Sequence, residues 1–201
     1  LEHRVELFNK KLDITPGVAL TYFSDFKFFA FPGVDVGYEL LDNLKVYGNL
    51  GYTYRIPTFT DLNYKSPNTI GNPDLEPEKA FSQEIGVKWN TVRFNVSVAV
   101  FNRNSNHLID YVKMQLTDPW QAQNIQDVTT KGFETQLLYQ FNINSFNQKL
   151  QFGYSFIQND IAQSTFAFSQ YSLNSMKHQF VGSYAMQFLK NFTNTVSYRY
   201  A

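Results

Sequence analysis

The stretch GYTYRIPTFTDLNYKSPNTIGNPDLEPEKAFSQEIGVKW, from Gly51 to Trp89, joins two alternating segments through an interval rich in Pro and Asn. Apolar side chains occupy every second position up to Tyr54, and the alternation returns between Phe81 and Trp89. A period of two is typical of a β-strand whose two faces meet different surroundings. The stretch therefore predicts two long strands joined by a long loop, Pro57 to Pro77.

The same alternation covers most of the chain. Between Val92 and Val100, every even position is Val or Phe, whereas the odd positions hold Arg, Asn, Ser and Ala. We count about ten such strands, the first of them partial. They lie at residues 2–8, 12–22, 34–40, 44–54, 81–89, 92–100, 133–141, 150–156, 180–188 and 192–200.

The predicted connections alternate in length, which is typical of an antiparallel up-and-down meander with short turns at one end and long loops at the other. A short loop at 23–27 lies at the long-loop end. The short turns are predicted near residues 9–10, 42–43, 90–91, 142–147 and 190–191, and the long loops near 57–77, 104–124 and 159–174.

Strand length and face chemistry favour a membrane over a soluble core. The strands run to about ten residues, which is the span that a tilted strand needs to cross a bilayer. Their second face is polar but mostly uncharged, as in a wetted lumen. Aromatic residues lie at both strand ends, as in the two interfacial girdles of a membrane barrel: Trp89, Phe141, Phe188 and Phe192 at the short turns, and Tyr52, Tyr54, Phe81 and Phe156 at the long loops.

Composition excludes several classes of protein. The 201 residues carry 17 basic and 17 acidic side chains, and this neutrality argues against a nucleic-acid partner. The chain has no Cys, which excludes disulfides, and no apolar run long enough for a membrane-spanning helix. It begins and ends within the alternating pattern, so we expect residues 1–201 to be one domain, an arc of a larger closed barrel.

Two motifs flank the opening loop. The segment YRIPTFTDLNY (Tyr54 to Tyr64), followed by NTIGNPDLEPEKAFSQEIGVKW (Asn68 to Trp89), resembles the signature of TonB-dependent outer-membrane receptors. The text NIQDVTTKGFETQL (Asn124 to Leu137) is similar to the start of a later strand in that family. These motifs cover about a quarter of the chain, and the alternating pattern covers nearly all of it.

The resemblance implies a bacterial outer-membrane transporter. It implies a barrel of about 22 strands around an N-terminal plug, which is absent from this chain. Implied partners are outer-membrane lipid and lipopolysaccharide, the TonB complex through the missing plug, a bulky imported solute and a surface lipoprotein. The residues of these motifs are most similar to those of cobalamin receptors, and siderophore, haem and glycan receptors share variants of the motifs.

The motif residues are expected to shape the structure more than to bind solute. Arg55 lies at a position of the alternating pattern that faces the lumen, where we expect an ion pair with Glu78 or Glu84. The alternative is a contact to the plug or the ligand. The prolines bar a helix and interrupt strand hydrogen bonding, and Asn-Pro-Asp is turn chemistry. This structural set comprises Arg55, Pro57, Asn72, Pro73, Pro77 and Glu78.

Solute contacts are expected at the tips of the long loops, where aromatic and amide side chains suit a large amphipathic ligand. The alternative is that these side chains pack the loops against one another or contact lipopolysaccharide. The candidates are Tyr64, Lys65 and Asn68 in the first loop, Tyr111, Lys113, Trp120 and Gln121 in the second, and Phe166, Phe168 and Tyr171 in the third.

No catalytic or metal site is predicted, and no cofactor is expected. Ser105, His107 and Asp110 are neighbours along one loop, but a triad is recognised by geometry and a metal site needs three or four ligands. Two other functions stay open from the residues alone: a passive porin, and a small autonomous barrel acting as an enzyme or adhesin.

Overall fold

A computed structural model shows a protein built almost wholly from antiparallel strands. It describes residues 1–24, 26–125, 127–161, 166–170 and 176–201. Over these residues, no helix reaches the length and hydropathy that crossing a membrane requires. The elements are β1 (Val5–Leu7), β2 (Leu12–Phe23), β3 (Lys27–Leu41), β4 (Leu44–Arg55), α1 (Phe59–Asn63), β5 (Thr69–Ile70), β6 (Glu78–Asn90), β7 (Phe94–Asn106), β8 (Leu108–Lys113), β9 (Trp120–Ile125), β10 (Val128–Ile143), β11 (Phe146–Ile161), β12 (Phe168–Ser169), β13 (His178–Leu189) and β14 (Phe192–Tyr200).

Ten of the strands form one sheet, in the order β1-β2-β3-β4-β6-β7-β10-β11-β13-β14. Sequential strands of this sheet pair antiparallel throughout, so the chain runs up and down without a crossover. The predicted fold class, strand count and meander are confirmed. We call this the spanning sheet.

Strand pairing assigns every side chain of the spanning sheet to one of two faces, because directly paired residues point the same way. The outward face carries rows such as Val46–Val87–Val98 and Leu44–Trp89–Val96. The inward face carries rows such as Asn49–Glu84 and Gln136–Ser97. Many outward hydrophobic residues, among them Val87, Trp89 and Val98, are exposed in the chain by itself, as they would be if lipid were their partner.

An ion pair across three strands shows how the inward face is built. Lys45 Nζ lies 2.6 Å from Asp13 Oδ2, and Gly37 stands between the two strands that carry them. A Cβ at Gly37 would lie 2.3 Å from Lys45 Cε. Glycine therefore leaves the space that the end of the Lys45 side chain occupies, and a larger residue would push that end aside.

Aromatic belts mark both edges of the outward face, as predicted. At the short-turn end, ring centroids are 6.1 Å apart for Trp89–Phe94 and 4.4 Å apart for Phe94–Tyr139. At the long-loop end, Tyr52 and Phe81 lie 4.7 Å apart. Stacked and tilted rings at these spacings stabilise each other beyond their buried area.

Four local expectations were wrong. The prolines of the 57–77 interval were expected to bar a helix, but the interval contains the helix α1. Pro57 does not prevent this helix, because it precedes the N-cap and so removes no helical hydrogen bond. The 104–124 loop is largely β7, β8 and β9, with β7 continuing to Asn106. β7 begins at Phe94, since Thr91 forms a turn with Phe94. The 142–147 connection is shorter than predicted, with Asn144 and Ser145 at positive φ between paired Ile143 and Phe146.

Candidate functional site

The three long connections of the spanning sheet pack together into a second sheet. Its order is β12-β8-β9-β5, so it joins segments from the first, second and third long loops. β8 and β9 form an antiparallel hairpin, whereas β5 pairs parallel to β9 through Thr69–Trp120 and Ile70–Gln121. We call this four-stranded sheet, with α1, the loop body.

Two small apolar clusters hold the loop body. The first contains Leu75, Ile109, Tyr111 and Ala122, with Leu62 and Trp120 packed against it. The second contains Val112, Ile125 and Val128, with Leu108, Ile161 and Phe166 packed against it. Opposite faces of the β8–β9 hairpin thus pack on different clusters, and the hairpin is the centre of the loop body.

Arg55 connects the spanning sheet to the loop body through two buried carboxylates. Its Nη1 donates to Glu78 Oε1 at 2.6 Å, and its Nη2 donates to Asp61 Oδ2 at 3.1 Å. Glu78 and Asp61 are only 6% and 4% exposed. The expected ion pair is present with Glu78, not Glu84.

Each carboxylate also accepts a hydrogen bond from the β8 segment. The backbone N–H of Ile109 donates to Glu78 Oε1 at 2.8 Å, and the Tyr111 hydroxyl donates to Asp61 Oδ1 at 3.2 Å. Buried carboxylates are tolerated when such donors satisfy their oxygens. We call Arg55, Asp61, Glu78 and Tyr111 the anchoring network.

The helix α1 places Asp61 in this network. Thr58 is its N-cap: Asp61 N donates to Thr58 Oγ1 at 3.1 Å, and Thr58 N donates to Asp61 Oδ2 at 2.9 Å. This reciprocal capping fixes the Asp61 side chain while it accepts from Arg55. A T-x-x-D spacing after Pro57 is the signal that would have identified the helix start.

Gly71 allows the chain to turn back against α1. Its N–H donates to Tyr64 O at 2.6 Å, and the next N–H, from Asn72, donates to Asp61 O at 2.8 Å. A Cβ at Gly71 would lie 2.8 Å from that same Asp61 O and 2.9 Å from Tyr64 N. Both are backbone atoms, so this close approach excludes any other residue without a shift of the helix end.

Asn124 ties the first loop to the second. Its Nδ2 donates to Glu76 O at 2.9 Å and to His107 O at 2.7 Å, while its Oδ1 accepts from Glu76 N at 2.8 Å. The Asn124 side-chain amide thus makes with the Glu76 backbone the two hydrogen bonds that a residue of a neighbouring strand would make. His107 Nδ1 lies 2.9 Å from Glu76 Oε2 at the same junction.

Asp110 connects the second loop to the third. It is fully buried, accepts from Ser169 Oγ and accepts from Tyr111 N at 2.6 Å. His107 Nδ1 contacts Glu76 Oε2 and Asp110 accepts from Ser169 Oγ, so these two side chains are engaged with different partners. Within the described ranges, no cluster of three His, Asp or Glu residues could hold a metal ion.

Predicted contact residues from two loops meet around one lysine. Lys113 Nζ lies 4.6 Å from the ring centroid of Trp120 and 5.7 Å from that of Phe168, and it donates to Leu116 O at 2.9 Å. The N–H of Trp120 donates to Asn68 O at 2.9 Å, which adds the first loop. The structure therefore brings candidates from all three loops together, as packing contacts.

Other predicted contact residues differ in exposure. Tyr111 is not at a loop tip but buried, 9% exposed, because its ring belongs to the first apolar cluster. Phe166 is half-buried against the second cluster. Tyr171 lies outside the described residues. Tyr64, Lys65, Asn68 and Gln121 are exposed.

The four exposed candidates surround the short edge strand β5. Lys65 forms a bridge with Ile70, and Gln121 pairs with Ile70 from the other side. Tyr64 follows the last residue of α1, and Asn68 precedes β5. We call this exposed surface the β5 edge.

The remaining motif residues shape the chain as turns and strand starts. Pro57 is buried just before the Thr58 cap, and Asn72 Oδ1 accepts from Asp74 N at 3.0 Å, across Pro73. Pro77 directly precedes β6, which begins at Glu78, where the predicted loop 57–77 ends.

An aromatic cluster at the long-loop end was missed by the sequence reasoning. The ring centroids of Phe29 and Phe31 lie 5.1 and 5.4 Å from that of Tyr54, and Phe23 lies 5.9 Å from Phe29. The register of β3 with β4 runs from Leu41–Leu44 up to Gly33–Gly51, so these contacts lie beyond the paired segment. The run FKFFAF at 26–31 was the available signal.

Comparison with known proteins gives a family for the whole chain. The family model described as "TonB dependent receptor-like, beta-barrel" matches residues 1–201. The "Vitamin B12 transporter BtuB" of Vibrio vulnificus strain CMCP6 is 31% identical over 97 residues, which is 48% of this chain and 14% of that relative.

Solved structures agree on the fold. The siderophore receptor PirA from Acinetobacter baumannii superimposes with a TM-score of 0.73 at 14% identity, covering 98% of this chain and 32% of that one. A ferric enterobactin receptor from Pseudomonas aeruginosa gives 0.72 at 13% identity, with 98% and 31% covered. The chain thus spans a fraction of the length of the proteins it matches. It belongs to the TonB-dependent receptor family and is part of a β-barrel of the outer membrane of Gram-negative bacteria.

Proposed function

We propose that the complete protein is an active transporter that binds a scarce, bulky solute on the cell surface and imports it with energy supplied through TonB. The family consists of transporters and receptors, not enzymes. The plug and the segment that contacts TonB would be supplied by the rest of the protein.

The observation that carries this proposal is the loop body. Extracellular loops of a passive channel need only leave the lumen open, whereas a receptor needs a surface that holds one ligand in a fixed geometry. Here three loops share one sheet, two apolar clusters and the anchoring network. Such a body holds the β5 edge in place before a ligand arrives, so ligand binding does not have to order these loops.

Cobalamin is the proposed solute. Relatives named vitamin B12 transporters match about half of the chain at 31% and 29% identity. The siderophore-receptor structures match nearly all of it, but at identities of 13–14% that speak for the fold alone. Siderophores, haem and glycans are the alternative solutes within the same family.

The proposed contacts are Tyr64, Lys65, Asn68 and Gln121 on the β5 edge, with Lys113, Trp120 and Phe168 beneath them as support. The four edge residues combine one aromatic ring, one cation and two amides, which suits a large solute with amide and phosphate groups. The supporting three are partly covered by one another.

Calorimetric titration of the purified complete receptor with cyanocobalamin and with a ferric catecholate siderophore tests the proposal. We expect saturable cobalamin binding, weakened by Gln121→Ala and Lys65→Ala and unchanged by Glu76→Gln, which lies away from the β5 edge. Siderophore binding without cobalamin binding would overturn the proposal that the solute is cobalamin. High, steady ion conductance of the complete protein in a planar bilayer would overturn the transporter class.

A further inference from the structure

The β2–β3 hairpin carries the same tripeptide in both of its strands, at facing positions. Residues 16–18 of β2 and residues 32–34 of β3 both read Pro-Gly-Val. The register pairs Gly17 with Gly33, so each proline lies opposite the valine of the other strand. Proline withholds a ladder hydrogen bond and glycine weakens a strand interior, so the two tripeptides together make one weak line across the hairpin.

Beyond this line, β3 separates from β4. Pairing between them stops at Gly33–Gly51, although both strands continue past that pair towards the long loops. β2 and β3, by contrast, stay paired with each other to the outer end of both strands. We call residues 18–23 and 27–32 the flap, and the separation between β3 and β4 the seam.

Pro32 accounts for the end of the β3–β4 pairing. Glu39 N donates to the oxygen of Lys11, just before β2, at 2.8 Å, so the backbone groups of odd-numbered β3 residues point to β2. Because these groups alternate along a strand, those of Pro32 point to β4. Pro32 has no N–H to donate, so the ladder loses the bond that would follow the Gly33–Gly51 pair.

Aromatic rings bridge the seam where ladder bonds are missing. The ring centroid of Tyr54, on β4, lies 5.1 Å from that of Phe29 and 5.4 Å from that of Phe31, both on β3. Phe23 lies 5.9 Å from Phe29 and extends the cluster to β2. Contacts between rings do not impose the fixed register of a ladder, so the flap can move against β4 without breaking backbone hydrogen bonds.

The β4 side of the seam is fixed. β4 pairs with β6 along its whole length, up to Arg55–Glu78, and both of these residues belong to the anchoring network. The flap contributes no described strand to the sheet of the loop body. The flap is therefore the side that moves, and the loop body is attached to the side that stays.

We propose that the flap is a hinged section of the barrel wall, which swings about the Gly17–Gly33 pair and widens the outer mouth of the lumen while a bulky solute passes. In its closed position β3 extends its ladder along β4, which places Phe31 opposite Thr53. In its open position the Tyr54 ring lies against Phe29 and Phe31, as in this structure. The role in solute passage rests on the proposed transport function, whereas the hinge itself does not.

A disulfide tests the closed position, because the sequence contains no cysteine of its own. In the complete receptor, F31C/T53C places two cysteines opposite each other in the extended ladder, and D35C/N49C is the matched pair within the existing ladder. Directly facing Cα atoms lie about 4.5–5.5 Å apart, within the range of a disulfide. We expect both pairs to oxidise, F31C/T53C more slowly. Oxidation of D35C/N49C alone would overturn the closed position.

A third substitution tests the cause of the seam. Pro32→Ala, added to F31C/T53C, returns the missing N–H and should raise the rate of disulfide formation about fivefold, the value of one ladder hydrogen bond. An unchanged rate would overturn the placement of the hinge at Pro32.

Amide hydrogen exchange distinguishes a hinged unit from a fraying hairpin. If the flap moves as a unit, the Ala19 and Phe29 amides, which bond between β2 and β3, exchange slowly in the unaltered receptor. The Phe28 and Ala30 amides face the seam and should exchange fast. Equally fast exchange at all four amides would overturn the hinge.

Uptake of labelled cobalamin by cells tests the role in passage. Oxidised F31C/T53C should bind cobalamin as the reduced form does but import it about tenfold more slowly, since locking a moving segment makes its opening rate-limiting. Reduction with dithiothreitol should restore import, and oxidised D35C/N49C should import normally. Equal import by oxidised and reduced F31C/T53C would overturn the role of the flap. Failure of the unaltered receptor to bind or import any solute, with the disulfide still forming, would instead overturn the proposed transport function.

Discussion

The spanning sheet and the loop body are built from the same chain but by opposite rules. In the spanning sheet, apolar side chains point outward and stay exposed, while charges such as Lys45 and Asp13 pair on the inward face. In the loop body, apolar side chains point to a shared interior, and two carboxylates are buried beside them. The sheet relies on lipid as its apolar partner, whereas the loop body makes a core of its own.

This difference predicts that the two regions fail separately. Assembly of the sheet depends on backbone pairing and an uncharged outward face, neither of which involves the loops. Order in the loop body depends on a few specific polar contacts, because its apolar clusters are small. A substitution in one region should leave the other intact, and the following changes test that independence.

The largest effect is expected from a charge on the outward face. Val98 pairs with Val87 on one side and Thr135 on the other, between the two aromatic belts. Val98→Lys should cost about 2–4 kcal/mol and remove folded protein from the outer membrane. The measurement is the heat-modifiable fraction in isolated membranes, with the inward-facing Gln136→Lys as control, expected to assemble normally. Equal assembly of both variants would contradict the assignment of faces.

Loss of the Glu78 charge should disorder the loops and spare the sheet. In Glu78→Gln, Ile109 N keeps an acceptor, but Arg55 loses its shortest ion pair. Breaking a buried pair costs about 3–5 kcal/mol; since Arg55 is 45% exposed, we expect about 1–2 kcal/mol. The measurement is protease cleavage of the loops on intact cells, which should accelerate at unchanged receptor amount. The exposed Asp74→Asn, in the same loop, is the control, and similar cleavage in both variants would exclude an anchoring role for Glu78.

These two regions also differ in how far the sequence predicted them. The spanning sheet follows from alternation, because the period of two is local and each strand pairs with its neighbour along the chain. The start of β6 at Glu78 follows from the sequence motif, in which Pro77 ends the loop. The ion pair of Arg55 follows from its lumen-facing position in the alternating pattern. Boundaries were less accurate where a turn residue such as Thr91 took the place of a strand residue.

The loop body was not predicted because its contacts are distant in sequence and lack a period. No local sequence pattern indicates that Ile70 pairs with Gln121, or that the Tyr111 hydroxyl donates a hydrogen bond to Asp61. An aromatic residue in a loop was interpreted as a tip residue, and Tyr111 shows the error: a tyrosine is equally suited to a small core with one polar partner. The helix α1 was missed because Pro57 was weighed as a helix breaker without regard to its position before the cap.

A test of close packing within the loop body comes from its glycine. Gly71→Ala places a Cβ 2.8 Å from Asp61 O, so the helix end must shift, at a cost of about 1–3 kcal/mol. Gly51→Ala is the matched control in the spanning sheet, where the nearest atom to the added Cβ is 3.8 Å away. Amide hydrogen exchange of the complete receptor should show faster exchange at Asn72, whose N–H bonds Asp61 O. Protection unchanged at Asn72 would mean that α1 is not held at this point.

The smallest effect is expected from the hydroxyl of Tyr111. Tyr111→Phe keeps the ring in the first apolar cluster and removes the 3.2 Å bond to Asp61 Oδ1. Asp61 retains Arg55 and the Thr58 amide at its other oxygen, so we expect a loss of about 1 kcal/mol, which is typical of a single hydrogen bond and below the usual range for one to a charged group. Loop proteolysis should accelerate less than in Glu78→Gln, and Tyr64→Phe, at an exposed ring, should have no effect. If Tyr111→Phe were as damaging as Glu78→Gln, the hydroxyl rather than the Arg55–Glu78 pair would be the main link between the loop body and the barrel.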